Sequence, residues 1–227
     1  MSTGSLSLSG ARSRWPFLFR NLALLASALS VGLSQANAYD IIVNKDPRPS
    51  PWVENGCTIA PNARCPGVDL RHIDLKDANL SGADLSGANL ARVDLRHANL
   101  SAANLEGANL EGARLYTAFM QRARLKGANL RGADLSFARI ASADFTGADL
   151  TAASLEHVRA NAANLFQARL INADLQEAQL YDVNLAEADL TGALKRYTIF
   201  QNAVMDGCTA CPQDWQKGQR AWEQEKN

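Results

Sequence analysis

Reactive chemistry in this chain is confined to a few residue types. Four cysteines stand in two pairs, Cys57 with Cys65 and Cys208 with Cys211. The second pair lies in Cys208-Thr209-Ala210-Cys211, a C-x-x-C spacing that supports thiol–disulfide exchange where a helix N-terminus lowers the thiol pKa. His72, His97 and His157 are the histidines, and their spacing fits no metal-binding motif. Arg114, Phe119, Arg122, Arg124, Arg139, Arg159 and Tyr181 are the densest mixture of cations and aromatic rings. Guanidinium groups recognise carboxylates, and rings add apolar contact. No nucleophile elbow, phosphate loop or His-rich metal motif occurs. The residues therefore predict binding: no catalytic group, no metal and no cofactor.

What must position these side chains is a five-residue unit, A-(D/N)-L-x-x, repeated over residues 68–207. Ala78-Asn79-Leu80-Ser81-Gly82, Ala83-Asp84-Leu85-Ser86-Gly87 and Ala188-Asp189-Leu190-Thr191-Gly192 are examples. With the central residue called i, the centres fall at every fifth position from Leu70 to Met205, 28 units without an insertion. Leucine fills 21 centres and alanine fills 22 of the i−2 positions, so each unit offers one large and one small inward residue. A period of five matches neither helix nor strand. A fixed short period over such a length predicts a solenoid.

The unbroken A-(D/N)-L-x-x register resembles the pentapeptide-repeat family. That resemblance implies an all-β fold, a right-handed quadrilateral β-helix with four five-residue sides per 20-residue coil. The 28 units then make about seven coils, a rod about 34 Å long at strand spacing. The expected organisation is a signal peptide at 1–38, an N-terminal cap at 39–67, the β-helix at 68–207 and a C-terminal helical cap at 208–227. Within the first cap, Tyr39 to Val43 reads as a short strand, and Trp52, Val53 and Ile59 are expected to cover the open first coil. Pro212, Trp215 and Trp222 mark the helical end, and an end cap also offers a surface for a homodimer. Ala160 is the small residue in a column of large ones, with Phe145 on the next side expected to fill the space.

Stacked coils place residue n beside n+20. On the third side, position i−1 then runs Asn79, Asn99, Phe119, Arg139, Arg159, Gln179, Ile199, with Arg122 nearby and Arg114 and Arg124 on the flanking sides. Phe119 and Tyr181 bracket the two stacked arginines. This cluster is expected to receive an anionic partner, a carboxylate-rich protein or a polymer; the bland reading is a solvated face. The second side carries Asp77, His97, Thr117, Phe137, His157, Glu177 and Tyr197 at i+2, beside Tyr116. Its histidines stand about 14 Å apart, too far to share a metal. Exposed Tyr116 and Phe137 suit a protein contact. The short column Asp74, Asp94 is interrupted by Arg114 and is accounted for by the repeat itself.

Rod length also decides the cysteines. The two pairs flank opposite ends, whereas bridged Cα atoms lie within about 7 Å. Bridges Cys57–Cys65 and Cys208–Cys211 are expected, each pinning a cap. Arg12, Arg14 and Arg20, an apolar run from Leu22 to Leu33, and Ala36-Asn37-Ala38 read as a cleaved export signal. No other apolar run is long enough to cross a membrane. Export fits oxidised cysteines and points to a periplasmic or secreted protein, or to a thylakoid lumen. The whole chain balances 23 basic against 23 acidic residues; loss of the three leader arginines leaves a slight acidic excess.

Three functions follow from these features. The first is an exported, non-catalytic scaffold or protein-interaction module. The second is a DNA-mimicking gyrase inhibitor, which some members of the resembled family are. The third is an exported thiol oxidoreductase using Cys208 and Cys211. Mixed surface charge and the export signal count against the second, and no nucleic-acid partner is expected. A C-x-x-C outside a βαβ unit counts against the third.

Overall fold

A computed structural model describes residues 48–212. The predicted leader, the strand expected at Tyr39 to Val43 and most of the expected helical cap, including Trp215 and Trp222, lie outside them; the described part of that cap, residues 208–212, is not helical, because Thr209 continues the parallel ladder by pairing with Asp189.

The repeat folds as a four-sided coil. A continuous series of parallel bridges joins each i−1 residue to the one twenty positions later, from Arg64↔Asp84 to Asp189↔Thr209. Two families of backbone bonds make the ladder: Leu80 N–H donates to the Asn99 carbonyl at 2.8 Å, and Asn99 N–H donates to the Ala78 carbonyl at 2.8 Å. Bonds of this kind recur from coil to coil, so the long sides present no open strand edge, the usual liability of a sheet.

Each side ends in a tight turn. Ala83 N–H donates to the Leu80 carbonyl at 3.0 Å, and the residue at i+2, here Gly82 at φ +67°, is left-handed. A positive φ at the third residue is the type II turn signature. This turn is why the period is five: one extended residue on each side of an inward centre, then a corner.

Inside the coil the centres and the i−2 residues form one core. Every centre from Leu70 to Leu190 is buried, with Phe145 and Ala160 both fully enclosed. Lys195, at a centre, sends its Nζ to the carbonyls of Ala193 at 3.3 Å and Ala210 at 3.2 Å, so its charge ends among peptide oxygens near the end of the coil.

Where position i−1 is Asp or Asn it is mostly half-buried rather than freely hydrated, because its side chain serves the backbone. Asp84 Oδ1 accepts the Ser86 N–H at 3.2 Å and Asn99 Oδ1 accepts the Ser101 N–H at 3.0 Å. Asparagines also bond along the axis, Asn129 to Asn109 at 3.0 Å and Asn184 to Asn164 at 3.1 Å. The preference for Asp or Asn at i−1 is thus the side-chain half of an Asx turn.

The N-terminal end is closed by a short antiparallel hairpin of β1 (Val53–Glu54) and β2 (Cys57–Thr58). Trp52 and Ile59 pack on the core as expected, but Val53 is exposed: alternation along β1 turns it outward. Asn55 and Arg48 tie the hairpin to the coil through the carbonyls of Asp69 at 2.6 Å and Asp74 at 2.8 Å. Cys57 and Cys65 have Cα atoms 5.5 Å apart, and Cys208 and Cys211 5.7 Å apart. Both separations lie within bridging range.

Candidate interaction surface

The i+2 corner after the second side carries no glycine in any of its seven coils, whereas the fourth-side corner is mostly glycine and the first and third mix glycine with other residues. Left-handed backbone is cheapest for glycine, and a Cβ there costs roughly 1–2 kcal/mol. The corner after the fourth side uses Gly87 and Gly107. The corner after the second side holds Asp77, His97, Thr117, Phe137, His157, Glu177 and Tyr197, all with φ between 53° and 61°. Bulky side chains have been kept where the backbone disfavours them.

These side chains touch in sequence along the axis. Thr117 Oγ1 is hydrogen-bonded to His97 Nδ1. Tyr116 meets the Phe137 ring edge-on with centroids 5.4 Å apart, and Phe137 stacks on His157 at 4.6 Å and 21°. His157 Nδ1 stands 3.3 Å from a Glu177 carboxylate oxygen.

The third side departs from the repeat in a different way. Only Asn79 and Asn99 supply the i−1 acceptor there, to Ser81 and Ser101. Phe119, Arg139, Arg159, Gln179 and Ile199 follow in five successive coils, and the N–H groups of Gln121, Ala141, Asn161, Tyr181 and Gln201 have no side-chain acceptor among the described residues. Each bond given up is worth about 0.5–1.5 kcal/mol. From Asn79 to Tyr181 the third-side outward positions carry no carboxylate; Asp182 is the first.

Of the seven residues singled out from the sequence, the structure gathers three closely. Phe119, Arg139 and Arg159 share a shallow depression of about 330 Å³ at the corner between the second and third sides. The Arg139 guanidinium lies over the Phe119 ring, 5.0 Å from its centroid. Arg122 opens instead on a neighbouring depression that also touches Phe119 and Gln121. Arg114 and Arg124 are engaged within the chain, with Asp94 at 3.7 Å and Glu106 at 2.6 Å. Tyr181 is half-buried and does not line either depression. Among the described residues Arg122, Arg139 and Arg159 form no ion pair, nor do Arg64, Arg92, Arg169 and Arg196, whereas Arg48, Arg71, Arg96, Arg114, Arg124 and Arg131 do.

The depression also contains Phe137 and His157, which column reading assigns to the second side. The signal that joins them was available. The i+2 residue of one side and the i−1 residue of the next are two apart in sequence, as Phe137 and Arg139 are, and flank the same corner.

Elsewhere several carboxylates are engaged within the chain. A hydrogen bond from the Arg96 side chain, aided by the Arg96 N–H and the charges of Arg96 and Arg114, holds the Asp94 carboxyl below the usual carboxylate range against the opposing effect of burial. Among the described residues no three potential metal ligands converge.

A family model described as pentapeptide repeats matches the chain in eight copies, over residues 62–92, 78–116, 118–156 and 161–194. Among solved structures, the chain is similar to HetL, a pentapeptide repeat protein involved in heterocyst differentiation regulation from the cyanobacterium Nostoc sp. strain PCC 7120. The identity is 31%, over 66% of this chain and 80% of that one, with a TM-score of 0.50. A trypsin-treated form of QnrB1, a plasmid-mediated fluoroquinolone resistance protein, aligns at 20% identity over 64% of this chain and 74% of its own, with a TM-score of 0.36. A pentapeptide repeat protein of the Arabidopsis thaliana thylakoid lumen aligns at 31% identity over 48% of this chain and 69% of its own, with a TM-score of 0.18. No curated protein matches in sequence.

Proposed function

This chain belongs to the pentapeptide-repeat family, whose members fold as right-handed quadrilateral β-helices, and from that premise we propose that it is an exported, non-catalytic scaffold whose third side binds a partner. The observation that carries this reading is the third side itself. In five successive coils it gives up the Asx bond, which the other sides lose only at scattered positions such as Arg114, Arg124 and Arg169, and in the same stretch it holds arginines without carboxylate partners. Local rules of a fold are broken mainly where function requires it. A rigid rod holds side chains at fixed intervals, which suits recognition more than catalysis. HetL, involved in regulating heterocyst differentiation, offers a precedent for a regulatory role on this fold.

Export rests on the leader pattern ending at Ala36-Asn37-Ala38, which favours the periplasm, with a thylakoid lumen as the equivalent in a photosynthetic cell. In such a compartment the pairs Cys57–Cys65 and Cys208–Cys211 are structural disulfides pinning the two ends of a rod of about seven coils. Affinity capture from the exported fraction tests the binding face. Wild type recovers a partner that an Arg139→Glu/Arg159→Glu variant does not; equal recovery removes the third side from the proposal.

A further inference from the structure

We propose that the corner between the second and third sides is a binding site for an extended acidic peptide segment lying along the rod axis. This rests on the reading of the third side as a binding face and adds the chemistry of what it binds.

The lining sets the charge of the ligand. Phe119, Phe137, Arg139, His157, Arg159 and Gln179 face the depression, and no carboxylate lines it. Arg139 and Arg159 stand one coil apart in the ladder, about 4.8 Å at strand spacing. That backbone spacing lets both flexible side chains reach a single anionic segment. In the second-side corner column Asp77 and Glu177 bound a stretch from His97 to His157, three coil spacings or roughly 14 Å, that holds no carboxylate at that position, although Glu156 at the neighbouring position stands 3.5 Å from His157. That length spans about four extended residues at about 3.3 Å each. Alternate side chains of such a segment point the same way, so two carboxylates fall within reach of the two flexible arginine side chains.

The rings decide between a peptide and an acidic polysaccharide. Sugars stack on aromatic faces, and a face of Phe119 and of Phe137 is already in contact within the chain. Phe137 stacks on His157 and meets Tyr116 on its other contact, while the Arg139 guanidinium covers Phe119. The electropositive edges of these rings favour carboxylate oxygens. The ladder N–H groups of Arg139 and Arg159 are bonded to the Ala118 and Ala138 carbonyls, so recognition does not run through an added strand.

The test is fluorescence anisotropy with the full-length chain and three labelled probes: a six-residue peptide with glutamate at alternate positions, its glutamine counterpart, and an oligouronate of similar length. The glutamate peptide binds, with affinity falling as salt rises, and the glutamine peptide binds at least about tenfold more weakly. Arg139→Gln/Arg159→Gln weakens glutamate-peptide binding by about tenfold or more; Phe137→Ser weakens it while circular dichroism stays unchanged. Arg92→Gln, on the first side, leaves it unaltered. Equal binding of the two peptides, or of wild type and the double arginine variant, overturns the proposal. Arginine-dependent binding of the oligouronate without the peptide also overturns it but leaves the binding-face reading intact. If neither probe binds and partner capture is insensitive to the arginine charge reversals, both readings fall.

Discussion

Ala152 shows what the corner costs a single residue. It is exposed, with φ 57°, and has only a methyl group to justify a left-handed backbone. Its replacement by glycine removes the Cβ clash and loses no packing; the gain of about 1 kcal/mol is partly offset by unfolded-chain entropy. Ala152→Gly is expected to raise the thermal midpoint by about 2–4 °C for each kcal/mol retained; a fall would show that the corner is not strained. Phe137 bears the same backbone cost at φ 59° but returns it through two ring contacts, each worth about 0.5–1.5 kcal/mol. The corner column after the second side is thus held by mutual contact, and its residues are best understood as a set.

The side, with its Asx turn, is the element in which stability and binding compete. Arg159 occupies an i−1 position and leaves the Asn161 N–H without a side-chain acceptor. Arg159→Asn restores the acceptor seen at Asn99 and is expected to stabilise the protein by about 0.5–1.5 kcal/mol, measured by urea unfolding, while weakening partner capture. A variant that gained no stability would mean that the third side is not giving up fold stability for its arginines. The same turns make the fold acid-sensitive. The Ser86 hydroxyl at 2.8 Å, the Ser86 N–H and the Asn104 amide hold the Asp84 carboxyl below its usual range, and the Thr191 hydroxyl and N–H do the same for Asp189. A carboxyl depressed on folding stabilises the fold above its unfolded pKa, about 3.9, and the contribution is lost as pH falls through the folded value. The urea midpoint should therefore be nearly flat between about pH 7 and pH 5 and fall below about pH 4. A midpoint unchanged down to pH 2 would show that these turns do not bind protons differently on unfolding.

At the scale of the whole molecule, what the sequence made legible was the periodic part. Leu80, Leu100 and Leu180 stack in one column because every unit repeats the same inward pair, and the cysteine pairs follow from the rod that results. What escaped was aperiodic. Val53 turns outward because a two-residue strand alternates about its own axis, Lys195 reaches carbonyls that only the last coil exposes, and Phe137 joins Arg139 across a corner that column reading divides. The same division of labour gives a test of the whole architecture. Every unit presents an equivalent inward pair, so removing one complete unit rotates all later residues by one side without breaking the core. Deleting residues 148–152 turns His157 and Arg159 away from Phe137 and Arg139; deleting residues 183–187, beyond the depression, moves none of its lining residues relative to one another. Both deletions are expected to fold, with circular dichroism like that of wild type. The first should weaken the glutamate peptide by about tenfold, as the arginine variant does, and the second should leave it unchanged. Retained affinity in the first, or equal loss in both, would mean that binding does not depend on the stacking of one coil on the next.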